Sequence, residues 1–154
     1  MGNICRSPSA QGVFEHLIKQ KGLAEKFTID SAGTHRYHVG SPPDERSILF
    51  AHKRGIDLSK QRARNISAQD FTYFDLIVAM DDENYRNLLT ICGKNQQEKL
   101  LKMKQFLPQS QYTEIPDPYY GGQQGFDLVL DLLEDACLGL LDFVLQQQIS
   151  KKLM

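Results

Sequence analysis

The chain has 154 residues, 18 Lys and Arg against 19 Asp and Glu, a net charge of −1 and 41% hydrophobic residues. That describes one domain of ordinary size covering 1–154, and the balanced charge excludes the bulk electrostatics of a nucleic-acid binder. No apolar run approaches the roughly 20 residues of a membrane span and no secretory signal opens the chain, so a cytoplasmic protein without membrane insertion is expected.

Three widely spaced cysteines, Cys5, Cys92 and Cys137, make a poor disulfide framework and fit a reducing compartment. The histidines His16, His35, His38 and His52 have no zinc-ligand spacing. No metal or organic cofactor is expected. Cys92 and Cys137 fall on apolar faces and read as core residues.

In chain order, Ser7-Pro8 reads as a helix start, with serine capping and proline in the first turn. Ala10, Val13, Phe14, Leu17 and Ile18 then recur at three and four, up to a stop at Gly22. The stretch 27–33, FTIDSAG, predicts a strand leaving into a turn. The next, 41–55, predicts a helix with early acids, late bases and a terminal glycine. A short capping-box helix at 67–71 precedes DLIVAM at 75–80, a continuous apolar run suited to a buried parallel strand. Asp81 can cap the helix that follows. A third strand is predicted over 99–108, and the stripe from Val129 to Leu145 predicts a long closing helix. The alternation predicts an α/β domain with a doubly wound parallel sheet flanked by helices, three layers in all.

Ligands of such sheets gather where a strand end turns into a helix, which is the setting of GNICRSP at 2–8. Gly2 and Asn3 readily adopt positive φ, so the amides of Gly2, Asn3, Ile4 and Cys5 can curl into an anion nest. The following helix aims its positive end there. Arg6 offers a planar fork for two oxygens and Ser7 a hydroxyl. The position of Cys5, beside Arg6 and a helix N-terminus, predicts a lowered thiol pKa. Far along the chain, Asp117 lies between two prolines that stiffen its loop, followed by Tyr119 and Tyr120.

Taken with DSAGT (30–34), YHVG (37–40), FDLIVAMDDEN (74–84) and PDPYYGG (116–122), the segment NICRSP resembles the low-molecular-weight protein tyrosine phosphatase family over essentially the whole chain. The resemblance implies a flavodoxin-like strand order and hydrolysis of phosphotyrosine and aryl phosphates through a phosphocysteine intermediate. By position, it makes Arg6 the ligand of the phosphoryl oxygens, Ser7 the hydroxyl that steadies the thiolate and Asn3 the residue that shapes the loop. It makes Asp117 the general acid, and Tyr37, Tyr119 and Tyr120 the walls of the phosphotyrosine pocket, with His38 as a rim contact. Asp81 also matches a family aspartate, for which a helix cap is a sufficient role. Phosphotyrosine proteins and oxyanions are the implied partners, with a monomer or weak dimer expected.

The family's nucleophilic cysteine stands two residues before the glycine, ahead of Met1. The expectation is therefore a chain that lacks this thiol and the central first strand carrying it, derived from a protein that begins upstream, and that is inactive as written. Segments 27–31 and 75–80 would then lie about 10 Å apart, two strand spacings. Two other readings remain: a non-catalytic phosphotyrosine binder, and a thiol-dependent arsenate reductase, which would need a relay of cysteines that Cys92 and Cys137 do not supply.

Overall fold

The computed structural model describes residues 5–36, 38–107, 114–118 and 123–153, with backbone alone at 123–124 and 148–153. The first helix, α1 (Arg6–Gln20), starts before Ser7, with Cys5 in the cap position and no side-chain cap. Ser7 is therefore not the cap: the Cys5 carbonyl already accepts from Ser9 N at 3.1 Å, which puts Ser7 inside the first turn. The helix ends as the sequence predicts, with Gly22 at φ +71° and Leu23 N bonded back to Ile18 O.

Segment 27–32 has no regular secondary structure and forms no ladder with any described strand, and the predicted strand reduces to a single parallel bridge between Gly33 and Asn65. An extended backbone becomes a strand only with a ladder partner, and no described strand lies beside it. Helix α2 (Glu45–His52) is shorter than predicted because Asp44 caps it, accepting from Arg46 N at 2.8 Å. Helix α3 (Asp70–Tyr73) follows a turn in which Asp70 accepts from Ser67 N at 2.8 Å, one half of the expected capping box.

Strand β1 (Ile77–Ala79) leads into α4 (Asp82–Leu89), whose cap Asp81 accepts from Asn84 N at 2.7 Å. The third predicted strand shrinks to β2 (Leu100–Lys102), which pairs in parallel with β1, Ile77 opposite Leu100. Beyond it Met103–Phe106 tightens into a 3₁₀ turn. Helix α5 (Gln123–Leu153) closes the chain and approaches that turn so closely that a Cβ on Gly139 would lie 3.0 Å from the Phe106 carbonyl oxygen.

Side-chain alternation along β1 divides two apolar cores. Val78 packs into the larger one, with Val13 and Phe14 of α1, Phe50 of α2, and Leu133 and Leu141 of α5. Ile77 and Ala79 face the smaller one, with Phe71 of α3 and Leu88 of α4. The sheet is thus covered on both faces, as a parallel sheet requires. Among the described residues no helix is long and apolar enough to cross a membrane.

Candidate active site

The carboxyl edge of β1 is where the distant parts of the chain meet. Arg6, the first residue of α1, is 5% exposed, so its guanidinium needs partners. Its Nη1 donates to Asp81 Oδ2 at 2.6 Å and to the Ile115 carbonyl at 2.8 Å. Asp81 therefore has two tasks, capping α4 with Oδ1 and holding Arg6 with Oδ2. Residue type and local pattern identify the first task only. The second spans 75 residues and has no local signature.

Segment 114–118 is fastened to the same edge. Ile115 N donates to the Met80 carbonyl at 3.1 Å, and Glu114 accepts from Asp82 N at 3.1 Å. Ile115 is fully buried, and two residues on Asp117 is exposed. Pro118 lies against the first turn of α5, 3.7 Å from where a Cβ on Gly125 would sit. The segment that carries Asp117 is thus held by Arg6 through the Ile115 carbonyl.

Cys5 departs from expectation. Its thiol is pushed up to about 11, first because it is buried and then because the carboxylates of Asp44 and Asp117 disfavour a thiolate. The Ser47 hydroxyl and the Arg46 guanidinium oppose this without overcoming it. Ser47 Oγ is itself buried, with no hydrogen bond of acceptable geometry. The helix terminus and neighbouring arginine suggested a lowered value, but the side chain turns into the core, where desolvation dominates. That Asp117 acts on this thiol also places its carboxylate near the residue preceding Arg6.

Asp44 supports the rim of the site. Burial works to raise its carboxyl, yet side-chain and backbone hydrogen bonds from Arg46 outweigh this and hold it below the ordinary carboxylate range. Arg46 also stacks 4.7 Å above the Phe126 ring, joining the start of α2 to the start of α5. His38 is half-buried in the turn before α2, and Ser7 is half-buried on the other side of α1, lining the cleft beside β1. Gly2, Asn3, Ile4, Tyr37, Tyr119 and Tyr120 lie outside the described residues. Among the described residues no group of three or more His, Cys, Asp or Glu is arranged to hold a metal ion.

A thiol at about 11 carries roughly a hundredth of the thiolate, at neutral pH, of one at the ordinary 9.0. With a disulfide reagent at pH 7.5, half-buried Cys92 is expected to react first, and Cys5 and Cys137 more than about 100-fold more slowly unless the protein unfolds. Rapid modification of Cys5 in the native protein, located by mass spectrometry, would contradict this. The raised value also links folding to pH. Below pH 9 both states keep the proton; from there to about 11 the unfolded chain loses it first, so this contribution to stability falls as pH rises.

These elements define the class: a doubly wound α/β domain whose site lies at the carboxyl edge of its parallel sheet, where a loop turns into a helix. The family model of the low molecular weight phosphotyrosine protein phosphatases matches residues 1–153. A human protein of that name is 38% identical over 147 residues, covering 92% of this chain and 90% of its own length. YfkJ of Bacillus subtilis, a low molecular weight protein-tyrosine-phosphatase, is also 38% identical, with 92% and 89% covered. The crystal structure of a protein tyrosine phosphatase from Entamoeba histolytica superimposes with a TM-score of 0.92 at 42% identity, over 96% of this chain and 94% of that one. The chain belongs to the low molecular weight phosphotyrosine protein phosphatase family, hydrolases of phosphoric monoesters, a membership that implies phosphoprotein substrates.

Proposed function

We propose that this site binds the phosphoryl group of phosphotyrosine through Arg6, the first-turn amides of α1 and the loop of Gly2, Asn3, Ile4 and Cys5. The observation that carries the reading is the state of Arg6. Its Nη1 is fixed by Asp81 and Ile115, while its Nε and Nη2 hold no acceptor among the described residues. Two N–H donors on a preset guanidinium suit two oxygens of a phosphate, each such charge-assisted bond contributing on the order of 1.5–3 kcal/mol. The amino end of α1 adds about 1 kcal/mol for an anion. Ser7 adds a hydroxyl, while Tyr37, His38, Tyr119 and Tyr120 are assigned to the walls around the ring.

In a form that carries the family's nucleophilic cysteine, its thiolate at the floor of this loop would attack phosphorus, and the P–O bond to the phenol would break as Asp117 gives its proton to the departing oxygen. Water, deprotonated by the Asp117 carboxylate, then attacks the phosphocysteine, releasing phosphate and restoring the thiolate. Proton transfer at this step contributes on the order of 10²- to 10⁴-fold.

The three thiols of the 154-residue chain do not suit the first step. Cys5 is buried with its thiol raised, Cys137 is fully buried with its thiol pushed up to about 12, and Cys92 packs against the other core. The chain as written is therefore assigned binding without turnover. The separation of Cys92 and Cys137 between the two cores also disfavours a disulfide relay, and with it arsenate reduction.

The test pairs calorimetric titration of the 154-residue protein with a phosphotyrosine peptide against product analysis of the same mixture. Saturable binding with no phosphate released is the expected result. Absence of binding would remove the reading, and steady aryl phosphate turnover lost in Cys5→Ser would make Cys5 the nucleophile.

A further inference from the structure

Helix α4 is capped twice. Asp81 Oδ1 accepts from Asn84 N, the ordinary cap from the residue before a helix, and Glu114 Oε2 accepts from Asp82 N at 3.1 Å, across 32 positions of chain. The second bond is not required to satisfy that amide, since it lies at an exposed position where water could replace the carboxylate. Its consequence is for the segment to which Glu114 belongs.

Segment 114–118 meets the carboxyl edge of β1 at three points: Glu114 on Asp82 N, Ile115 N on the Met80 carbonyl, and the Ile115 carbonyl on Arg6 Nη1. The last two use the main chain of Ile115, which almost any residue in its place would offer. Main-chain bonds of this kind leave register weakly specified, whereas a side chain that reaches one particular amide fixes which residue stands opposite Met80. Asp117 follows two residues on, exposed between the buried Ile115 and the buried Pro118. A slip of one residue would move its carboxylate by about 3.3 Å.

The surrounding charges permit a carboxylate here. The amino end of α4 carries Asp81, Asp82 and Glu83, which by themselves would repel Glu114. Asp81, however, is paired with Arg6, and Asp82 Oδ1 lies 3.0 Å from Lys102 Nζ and 3.3 Å from Lys104 Nζ. With those two charges offset, the positive end of the helix favours Glu114. We propose that Glu114 is a positioning residue: by capping α4 from a distance it sets the register in which segment 114–118 docks beside Arg6, and with it the place of Asp117. The chemical part of Asp117 rests on the function proposed above; the docking does not, and the two are tested apart.

Glu114→Ala and Glu114→Gln are compared with the 154-residue protein, the glutamine keeping an acceptor oxygen for Asp82 N. Amide hydrogen exchange reads the docking. The Ile115 amide is expected to exchange about tenfold faster in the alanine variant and within about threefold of the wild-type rate in the glutamine variant, with Leu133 of the larger core changed by no more than about twofold. An unchanged Ile115 rate in the alanine variant would overturn the proposal, as would a glutamine variant that behaves like alanine. So would equal acceleration of Leu133, the sign of general destabilisation. Calorimetry with the phosphotyrosine peptide reads the consequence for the site: affinity is expected to fall about fivefold with alanine and to return with glutamine, because Arg6 loses its tether at Ile115. Unchanged affinity beside faster Ile115 exchange would overturn the positioning role. A wild-type protein that binds no phosphotyrosine would instead remove the proposed function, and the exchange rates alone would then decide the role of Glu114.

Discussion

Asp81→Ala is expected to lower the thermal unfolding midpoint by roughly 10 °C. The substitution leaves the guanidinium of Arg6, whose side chain is 4% exposed, without its anionic partner. Breaking a buried pair from one side costs about 3–5 kcal/mol, and the lost cap on α4 adds about 1 kcal/mol. At about 2–4 °C per kcal/mol for a domain of this size, the lower end of that sum gives the stated shift. Asp81→Asn, which keeps an acceptor for Asn84 N, should fall between wild type and alanine. Differential scanning calorimetry of the three proteins decides the point, and a shift below about 3 °C for alanine would mean that Arg6 finds other partners.

Arg6→Lys should behave in the opposite manner, sparing much of the stability and removing the affinity for phosphotyrosine. A lysine ammonium can still reach a carboxylate, but it is a single point charge, whereas Arg6 has one nitrogen committed to Asp81 and Ile115 and two more that hold no acceptor among the described residues and are assigned to the anion. Loss of one to two charge-assisted bonds predicts affinity weaker by roughly 100-fold. Titration calorimetry with phosphotyrosine gives the ratio directly. An unchanged dissociation constant would place the anion elsewhere.

How far the sequence reveals this protein depends on the range of each interaction. The cap of α4, the glycine stop of α1 and the stripe of α5 are written in neighbouring residues and are found where expected, whereas α2 opens later than predicted, at Asp44. The strand predicted over 99–108 fails after Lys102, because Met103 and Phe106 are apolar for packing into the larger core rather than for a ladder. Segment 27–33 reads as a strand from its side chains, yet pairing depends on what stands beside it. Arg6 and Asp117 stand out through motif and spacing, whereas the link from Arg6 to Asp81 and Ile115 exists only in the folded molecule. Cys5 misleads for the same reason: its sequence neighbour Arg6 is cationic, but in the folded molecule burial and the carboxylates of Asp44 and Asp117 outweigh Ser47 and Arg46.

Ile115 has one further consequence. Its amide is bound to Met80 and its carbonyl to Arg6, so the backbone that leads to Asp117 is stitched into the domain on both sides of a single residue. An acid borne on a swinging flap would have to be recruited afresh at each encounter with a ligand. On the proposed assignment, the entropy of bringing Arg6 and the Asp117 segment together is lost once, during folding, and an arriving phosphate would meet them already assembled.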